Sequence, residues 1–238
     1  MRGCLFTLLL GGVVIALIVV VGLPQVAAGM ITTAVTAAGL HADDTTVTVS
    51  SDPPTDLIGL RADRVRIRAT DALYRDMRIG ALDLQLRDVS ILDRSTEGVA
   101  GSLRDVTIDD VGGREVTLDE IRVRGEGSDV TATTVIDGTQ AESLIADAVE
   151  QRTGVQPTSV RLEDPDRLTI DVGVTVGGTL DVGTNGDLVL KLDANPAGID
   201  QVVLIRGGED LPIRLRDVLV TPDGDLQLDG DLAIGLLG

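Results

Sequence analysis

Arg64–Thr70 reads RVRIRAT: in an extended chain Val65, Ile67 and Ala69 point one way and Arg64, Arg66 and Arg68 the other. The same alternation recurs over Thr45–Ser50, Ile79–Ile91, Leu103–Ile108, Glu115–Arg124 and Asp129–Ile136. It returns over Ser159–Glu163, Arg167–Val176, Thr179–Val182, Leu188–Leu192, Gln201–Ile205, Pro212–Val220 and Leu226–Ile234. A two-residue period with one apolar face is the pattern of half-buried antiparallel strands, so the chain is committed to a large sheet. Between Leu86 and Val89 the alternation changes phase, which predicts a bulge or bend. Asn185-Gly186 and Asp223-Gly224 read as hairpin turns, since both residues of each pair tolerate positive φ. The phrase Leu-Arg-Asp-Val occurs at Leu86–Val89, Leu103–Val106 and Leu215–Val218, too irregularly spaced for a solenoid repeat.

Two stretches break the alternation. Gln25–Leu40 (QVAAGMITTAVTAAGL) brings Val26, Met30, Ile31 and Val35 near a 3.6-residue period and meets Gly39, predicting a helix whose polar side is only Thr and Ala. Thr139-Gln140-Ala141-Glu142 has the form of a capping box. Leu144, Ile145, Ala148 and Val149 then make an apolar stripe, and Gly154 with Pro157 closes this second helix. The expected architecture is α+β, a long curved antiparallel β-sheet wrapping two helices. Residues 25–238 form one domain in this reading, because no Gly/Ser linker or shift in composition divides them.

Residues 1–24 are of another kind. From Leu5 to Leu23 nineteen residues carry no charge before Pro24, and a helix needs roughly 20 apolar residues to cross a bilayer core. Arg2 precedes the run, while Asp43, Asp44, Asp52 and Asp56 follow it before Arg61. The positive-inside bias then leaves the N-terminus in the cytoplasm and sends the rest outside. The run is either a retained N-terminal transmembrane helix, giving a single-pass protein of the cell membrane, or a signal peptide cut near Val26-Ala27-Ala28-Gly29, giving a domain secreted to the cell envelope. Both readings export the domain. Cys4 lies before the run and does not match a lipoprotein acceptor.

Composition removes several functions. The net charge is −18, from thirty Asp and eight Glu against nineteen Arg and one Lys, which gives no general pull toward nucleic acid. Phe6 and Tyr74 are the only aromatics, too few for a base-stacking platform. With one Cys, no internal disulfide can staple the fold. His41, the only His, has no second base or ligand beside it, which argues against His-dependent triads and His/Cys metal sites. Asp223-Gly224-Asp225 and Asp229-Gly230-Asp231 imitate calcium-loop fragments without their spacing. No enzymatic activity, metal or cofactor is expected. One local departure remains: Arg61–Arg78 holds six Arg against three Asp. Arg64, Arg66 and Arg68 are therefore candidate contacts for an anionic lipid headgroup, or else a solvated strand face balanced by neighbouring Asp.

The order of these features resembles the LmeA-like phospholipid-binding proteins of the bacterial envelope. The resemblance rests on the loop Asp52–Leu60, then Asp63-Arg64-Val65-Arg66-Ile67, Ile79-Gly80-Ala81-Leu82-Asp83-Leu84, Leu86-Arg87-Asp88-Val89 and the closing Val218–Leu226 hairpin. It extends over roughly Gln25 to Leu236. It implies a fold similar to tubular lipid-binding domains, in which a curved sheet wraps long helices and leaves an apolar groove. The loop here carries Pro54 and Asp56 and no aromatic, unlike many members of that family.

The expected function is accordingly that of a membrane-tethered or exported protein that holds or shuttles phospholipid or another acyl lipid. In the expected groove Met30, Ile31 and Val35 face Leu144, Ile145, Ala148 and Val149, with Leu57, Ile58 and Leu60 at one mouth. Acyl chains need apolar area, worth ~25 cal/mol per Å², and no directed bonds. Two other readings compete. One is kinship with repeated β-groove lipid bridges, for which the chain is short. The other is an extracellular β-rich interaction module without a lipid cavity.

Overall fold

The computed structural model describes residues 23–37, 39–74, 77–90, 92–93, 95–111, 114–127, 129–193, 201–208, 211 and 213–232. The charge-free run, apart from Leu23, lies outside them. Among the described residues no helix is long and apolar enough to cross a membrane. The chain forms α1 (Leu23–Ala37), β1 (Leu40–Ser50), a 3₁₀ turn (Pro54–Gly59), β2 (Arg61–Tyr74), β3 (Met77–Ser90), β4 (Ser95–Val111), β5 (Arg114–Glu126) and β6 (Asp129–Ile136). After α2 (Gly138–Thr153) come β7 (Ser159–Glu163), β8 (Arg167–Asp171), β9 (Thr175–Val182), β10 (Leu188–Leu192), β11 (Gln201–Ile205), β12 (Ile213–Val220) and β13 (Leu226–Leu232).

The fold is α+β and mostly antiparallel strand, with two helices. The strands divide into two sheets. Eight form the order β1-β2-β3-β4-β5-β6-β13-β12 and five the order β11-β10-β9-β8-β7. After β6 the chain therefore leaves the first sheet, builds α2 and the whole second sheet, and returns so that β13 pairs with β6. Backbone bonds join the sheets at this return: Leu215 donates to the Gly186 carbonyl at 3.0 Å, and Val220 to that of Pro165 at 2.6 Å. The apolar faces of both sheets share one core with α2, including Val65, Ile79, Leu118, Ile145, Leu168 and Leu190.

The first sheet bends along a definite line. In β2 to β5 two successive residues point outward, at Thr70-Asp71, Gly80-Ala81, Arg104-Asp105 and Asp119-Glu120. Each pair is flanked by buried residues: Ala69 and Ala72, Ile79 and Leu82, Leu103 and Val106, Leu118 and Ile121. The pairing register sets Asp71, Gly80, Asp105 and Asp119 opposite one another, with Asp43 of β1 continuing the row. Asp71 and Asp105 have φ of 49° and 50°, a left-handed conformation that Asp tolerates better than branched residues do. A second such line crosses β2 and β3 at Asp63 and Asp88, where Asp88 has φ 51°. This second line is the phase change expected between Leu86 and Val89. Two of the three Leu-Arg-Asp-Val phrases are these bends, at Asp88 and Asp105. The third falls on the register shift between Leu215 and Asp217.

Helix α2 packs on β7 and β11, the two edges of the second sheet, so that this sheet curls about it. Its first turn is capped by Asp137, whose Oδ1 accepts from the Thr139 and Gln140 amides at 3.0 and 3.2 Å. The capping-box expectation placed this role on Thr139. A carboxylate two residues earlier, acting near the positive helix end, takes it instead. The Asp225 carboxylate meets the Gly138 amide at 2.9 Å, which ties the closing hairpin to the start of α2. Gly154 ends the helix at φ 72°. Leu144, Ile145 and Val149 are buried, each contributing ~1.5–3 kcal/mol of apolar transfer.

Three turn expectations change in detail. Arg167–Val176 is not one strand: Gly173, at φ 88°, divides it into β8 and β9. Gly177-Gly178 instead lies inside β9, where a Cβ on Gly178 would come within 3.0 Å of the Lys191 carbonyl oxygen. In the two hairpins only Gly186 and Gly224 take positive φ, because the loops are longer than a two-residue turn and close through Gly183–Asp187 and Thr221–Asp225.

These contacts predict opposite outcomes for two Gly→Ala changes. At Gly101 the added Cβ would sit 2.2 Å from the Asp83 carbonyl oxygen, whereas at Gly29 in α1 it meets nothing within 4 Å. Gly101→Ala is expected to destabilise by about 2 kcal/mol or more, and Gly29→Ala to stabilise by about 0.5–1 kcal/mol. Thermal or urea unfolding of the two variants checks this. Equal stabilities would contradict the strand approach at Gly101.

Candidate functional site

The outward face of the first sheet between the two bend lines is a trough of about 860 Å³. Its floor is small, made by Ala81, Ala100, Gly101 and Ser102, and its sides carry Arg68, Arg104, Arg122 and Arg124. Register brings these together from distant parts of the sequence. One cross-strand row runs Arg68, Asp83, Ser102, Arg122, Thr133, and the next runs Arg66, Gln85, Ala100, Arg124, Thr131.

Two carboxylates hold the guanidiniums in place. Arg66 donates through Nε and Nη2 to the two oxygens of Asp83 at 2.8 and 2.5 Å, and Arg68 Nε lies 3.4 Å from the same carboxylate. Glu120 accepts from Arg122 Nε at 2.6 Å and has Arg104 Nε at 3.5 Å. Arg124 has no carboxylate partner among the described residues. The Arg66 hydrogen bonds, reinforced by the charges of Arg66 and Arg68, hold the Asp83 carboxyl below the usual range. Glu120 is lowered in the same way by its bond from Arg122 and then by the charges of Arg122 and Arg104. An acidic row of Asp43, Asp71, Asp105 and Asp119 borders the trough along one bend; along the other stand Asp63 and Asp88 with Glu97 opposite, with Arg64 and Arg87 between them and the trough.

Of the residues expected to contact a headgroup, Arg66 and Arg68 share Asp83, and Arg64 lies outward on the same strand opposite Arg87. Arg104, Arg122 and Arg124 were not among them. Their alternation with Leu103, Ile121 and Val123 marks them as outward-facing, but only the pairing register brings them beside Arg68. The Asp-Gly carboxylates are occupied structurally. Asp229 accepts from Thr133 and Gln227, and Asp231 lies 2.7 Å from Arg216.

The apolar positions fall in two places. Helix α1 packs on β1 and the 3₁₀ turn, while α2 packs on β7 and β11, so the two expected stripes line different sets of strands. Near α1, Leu57 is buried, Ile31 and Leu60 are half-buried, and Met30 (45%) and Ile58 (65%) are exposed. The Val35 side chain lies outside the described part. Near α2, Leu144, Ile145 and Val149 are core and Ala148 is half-buried.

Leu144 and Ala148 also line a second groove, of about 430 Å³, between α2 and β11. Exposed Val203 adds apolar surface to it, Leu204 borders it from the core, and Arg114, Arg152 and Arg206 stand around it. Arg114 is held by Ser143 Oγ at 2.6 Å and by the Asp147 carboxylate.

Asp83 is expected to titrate below a free Asp, near 3.9, and Arg66→Met to move it back toward that value. Because the folded value is depressed, its stabilisation is present above pH ~4 and is lost as pH falls through the lower folded value. For a pair this exposed the contribution is small and further screened by salt. Carboxyl NMR titration of both proteins measures the shift, and an Asp83 curve unmoved by Arg66→Met would contradict it. Compared with known proteins, the chain matches no described family, no curated protein and no solved structure.

Proposed function

We propose that this chain is a phospholipid-binding protein of the cell envelope, tethered to or exported across the membrane by its N-terminal run. The observation that carries the reading is the α2–β11 groove. It sets exposed Val203 and half-buried Ala148, over the edges of the buried Leu144 and Leu204, beside Arg114, Arg152 and Arg206. An apolar strip next to guanidiniums is the combination that an acyl chain with a phosphate head requires, burial supplying affinity and the fork orienting the head. In this reading the headgroup role passes from Arg64, Arg66 and Arg68 to the three arginines that share a groove with apolar side chains.

Helix α1 supports the membrane part. It carries no charged residue, and Val26 and Met30 are exposed on it. Thr32, Thr33 and Thr36 each satisfy their hydroxyl on the carbonyl four residues back, at 2.9–3.0 Å. Such a surface asks little of water. The resemblance to LmeA-like proteins adds to the reading. The rival interaction module without a lipid cavity has one observation in its favour: Ile145 of α2 is fully buried and belongs to the same hydrophobic core as Leu188 and Ile205, so the inner face of α2 is core and not groove.

The test is native mass spectrometry of the protein purified from membranes of an expressing bacterium, with lipid per folded molecule as the readout. Ala148→Trp fills the groove from its half-buried wall. It is expected to lower lipid occupancy while changing stability by less than about 1 kcal/mol. Ile145 is core, so Ile145→Trp overpacks it, at a cost of roughly 1–3 kcal/mol, without entering the groove. Absence of lipid from the wild type, or unchanged occupancy in a folded Ala148→Trp protein, would favour the interaction module.

A further inference from the structure

We propose that the arginine-lined trough of the first sheet binds a linear phosphate chain, an extended anion with one phosphate charge per backbone repeat, lying across the strands from β2 to β6. The inference stands on the trough alone and is independent of the lipid reading. The trough is lined by Arg68, Arg104, Arg122 and Arg124 against Asp83 and Glu120, four positive charges to two, and Asp83 is further neutralised by Arg66 beside it, in a chain of net charge −18. Clefts lined by one sign of charge concentrate their field. At physiological salt the field is cut off over ~8 Å, so a ligand in the trough feels the nearby arginines more than the distant acids.

Geometry selects an extended ligand. Arg122 and Arg124 are two residues apart on one strand, ~6.8 Å, and Arg68 and Arg122 are three strand spacings apart, ~14 Å. No single phosphate spans these positions, whereas a chain of them meets several. The small floor of Ala81, Ala100, Gly101 and Ser102 leaves room for a backbone to lie flat. Each guanidinium has five donors in a planar fork. Asp83 and Glu120 are each shared by two arginines, so they fix orientation without exhausting the donors.

Direction follows from the borders. The acidic row Asp43, Asp71, Asp105 and Asp119 repels an anion running along the strands toward that bend, whereas Arg68 and Arg122 stand in one row across them, so the favoured path is across, about four spacings or ~19 Å from β2 to β6. At the far end β13 places Asp229, bonded by Thr133 and Gln227, which limits the site there. The lining contains no aromatic residue, so bases and sugar rings find nothing to stack on and charge does the recognition.

The experiment uses the full chain in nanodiscs of phosphatidylcholine, with fluorescently labelled linear polyphosphate followed by anisotropy at several salt concentrations. Inorganic phosphate serves as competitor, and phosphatidylglycerol vesicles form a separate arm. The combined variant Arg104→Gln/Arg122→Gln/Arg124→Gln is expected to bind at least about tenfold more weakly at low salt. Its slope of log K against log salt should fall by about 0.7–0.9 per arginine removed. Ser102→Asp, which places a negative charge on the floor opposite Arg122 while leaving every arginine in the chain, is expected to weaken binding as well and keeps the test open if the triple variant does not fold. Arg161→Gln on β7 is expected to leave binding unchanged. Polyphosphate that does not bind, binding unaltered in both folded trough variants, or full displacement by inorganic phosphate at equal phosphate concentration would overturn the proposal. Arginine-dependent binding to the anionic vesicles without polyphosphate binding would overturn it too, making the trough a membrane contact.

Discussion

A strand in which two successive residues face the same way has to bend, and here four adjacent strands do so in one row. Thr70-Asp71, Gly80-Ala81, Arg104-Asp105 and Asp119-Glu120 are in register, so their individual kinks add into a single line across the sheet. Much else in the first sheet depends on that line. It keeps Ala72, Ile79, Val106 and Leu118 on the core side beyond the bend, where an unbroken alternation would have turned them out. It also bounds the trough in which the arginines gather. Asp suits these positions because its short polar side chain tolerates positive φ and its charge stays in water. This use accounts for part of the excess of Asp over Glu.

The core behind the sheet is almost wholly aliphatic, with Tyr74 as its aromatic member. Aliphatic side chains pack by shape without directed bonds, so the polar atoms that do enter must be satisfied one by one. Thr134 donates to the Glu120 carbonyl at 3.0 Å and Thr96 to that of Arg87 at 2.7 Å. The link from Asp225 to Gly138 belongs to the same economy, since it closes an orphan amide at a helix start with a side chain 87 residues away. Helix α2 thereby registers both sheets: its first turn is fixed by the first sheet's last hairpin, and its apolar stripe by the edges of the second.

Charge is distributed by face. Lys191 pairs with Asp181, and Arg167 with Asp193 at 2.7 Å, on the second sheet. The first sheet instead gathers Arg66, Arg68, Arg104, Arg122 and Arg124 between its two bends, while Arg78 and Arg216 are paired with acids outside them. Exposed pairs of this kind contribute little to stability. Their effect is on what approaches the surface: a protein that is acidic overall presents one face that its arginines make locally basic.

The two-residue alternation announced the strands, because side-chain direction in an extended chain depends only on residue parity. The apolar stripe from Leu144 to Val149 likewise marked the second helix. Local signals failed where two explanations compete for one residue type. Gly173 turns the chain and Gly177-Gly178 does not, and the difference lies in whether a neighbouring strand occupies the space a Cβ would need. Thr139 and Asp137 are both good caps, and only the helix's actual start chooses between them. The division into two sheets, the placing of the apolar stripes on separate strands, and the meeting of Arg104, Arg122 and Arg124 with Arg68 were decided by tertiary structure alone. Each depends on which strands pair and in what register, a property of contacts between residues far apart in sequence, which no short segment encodes.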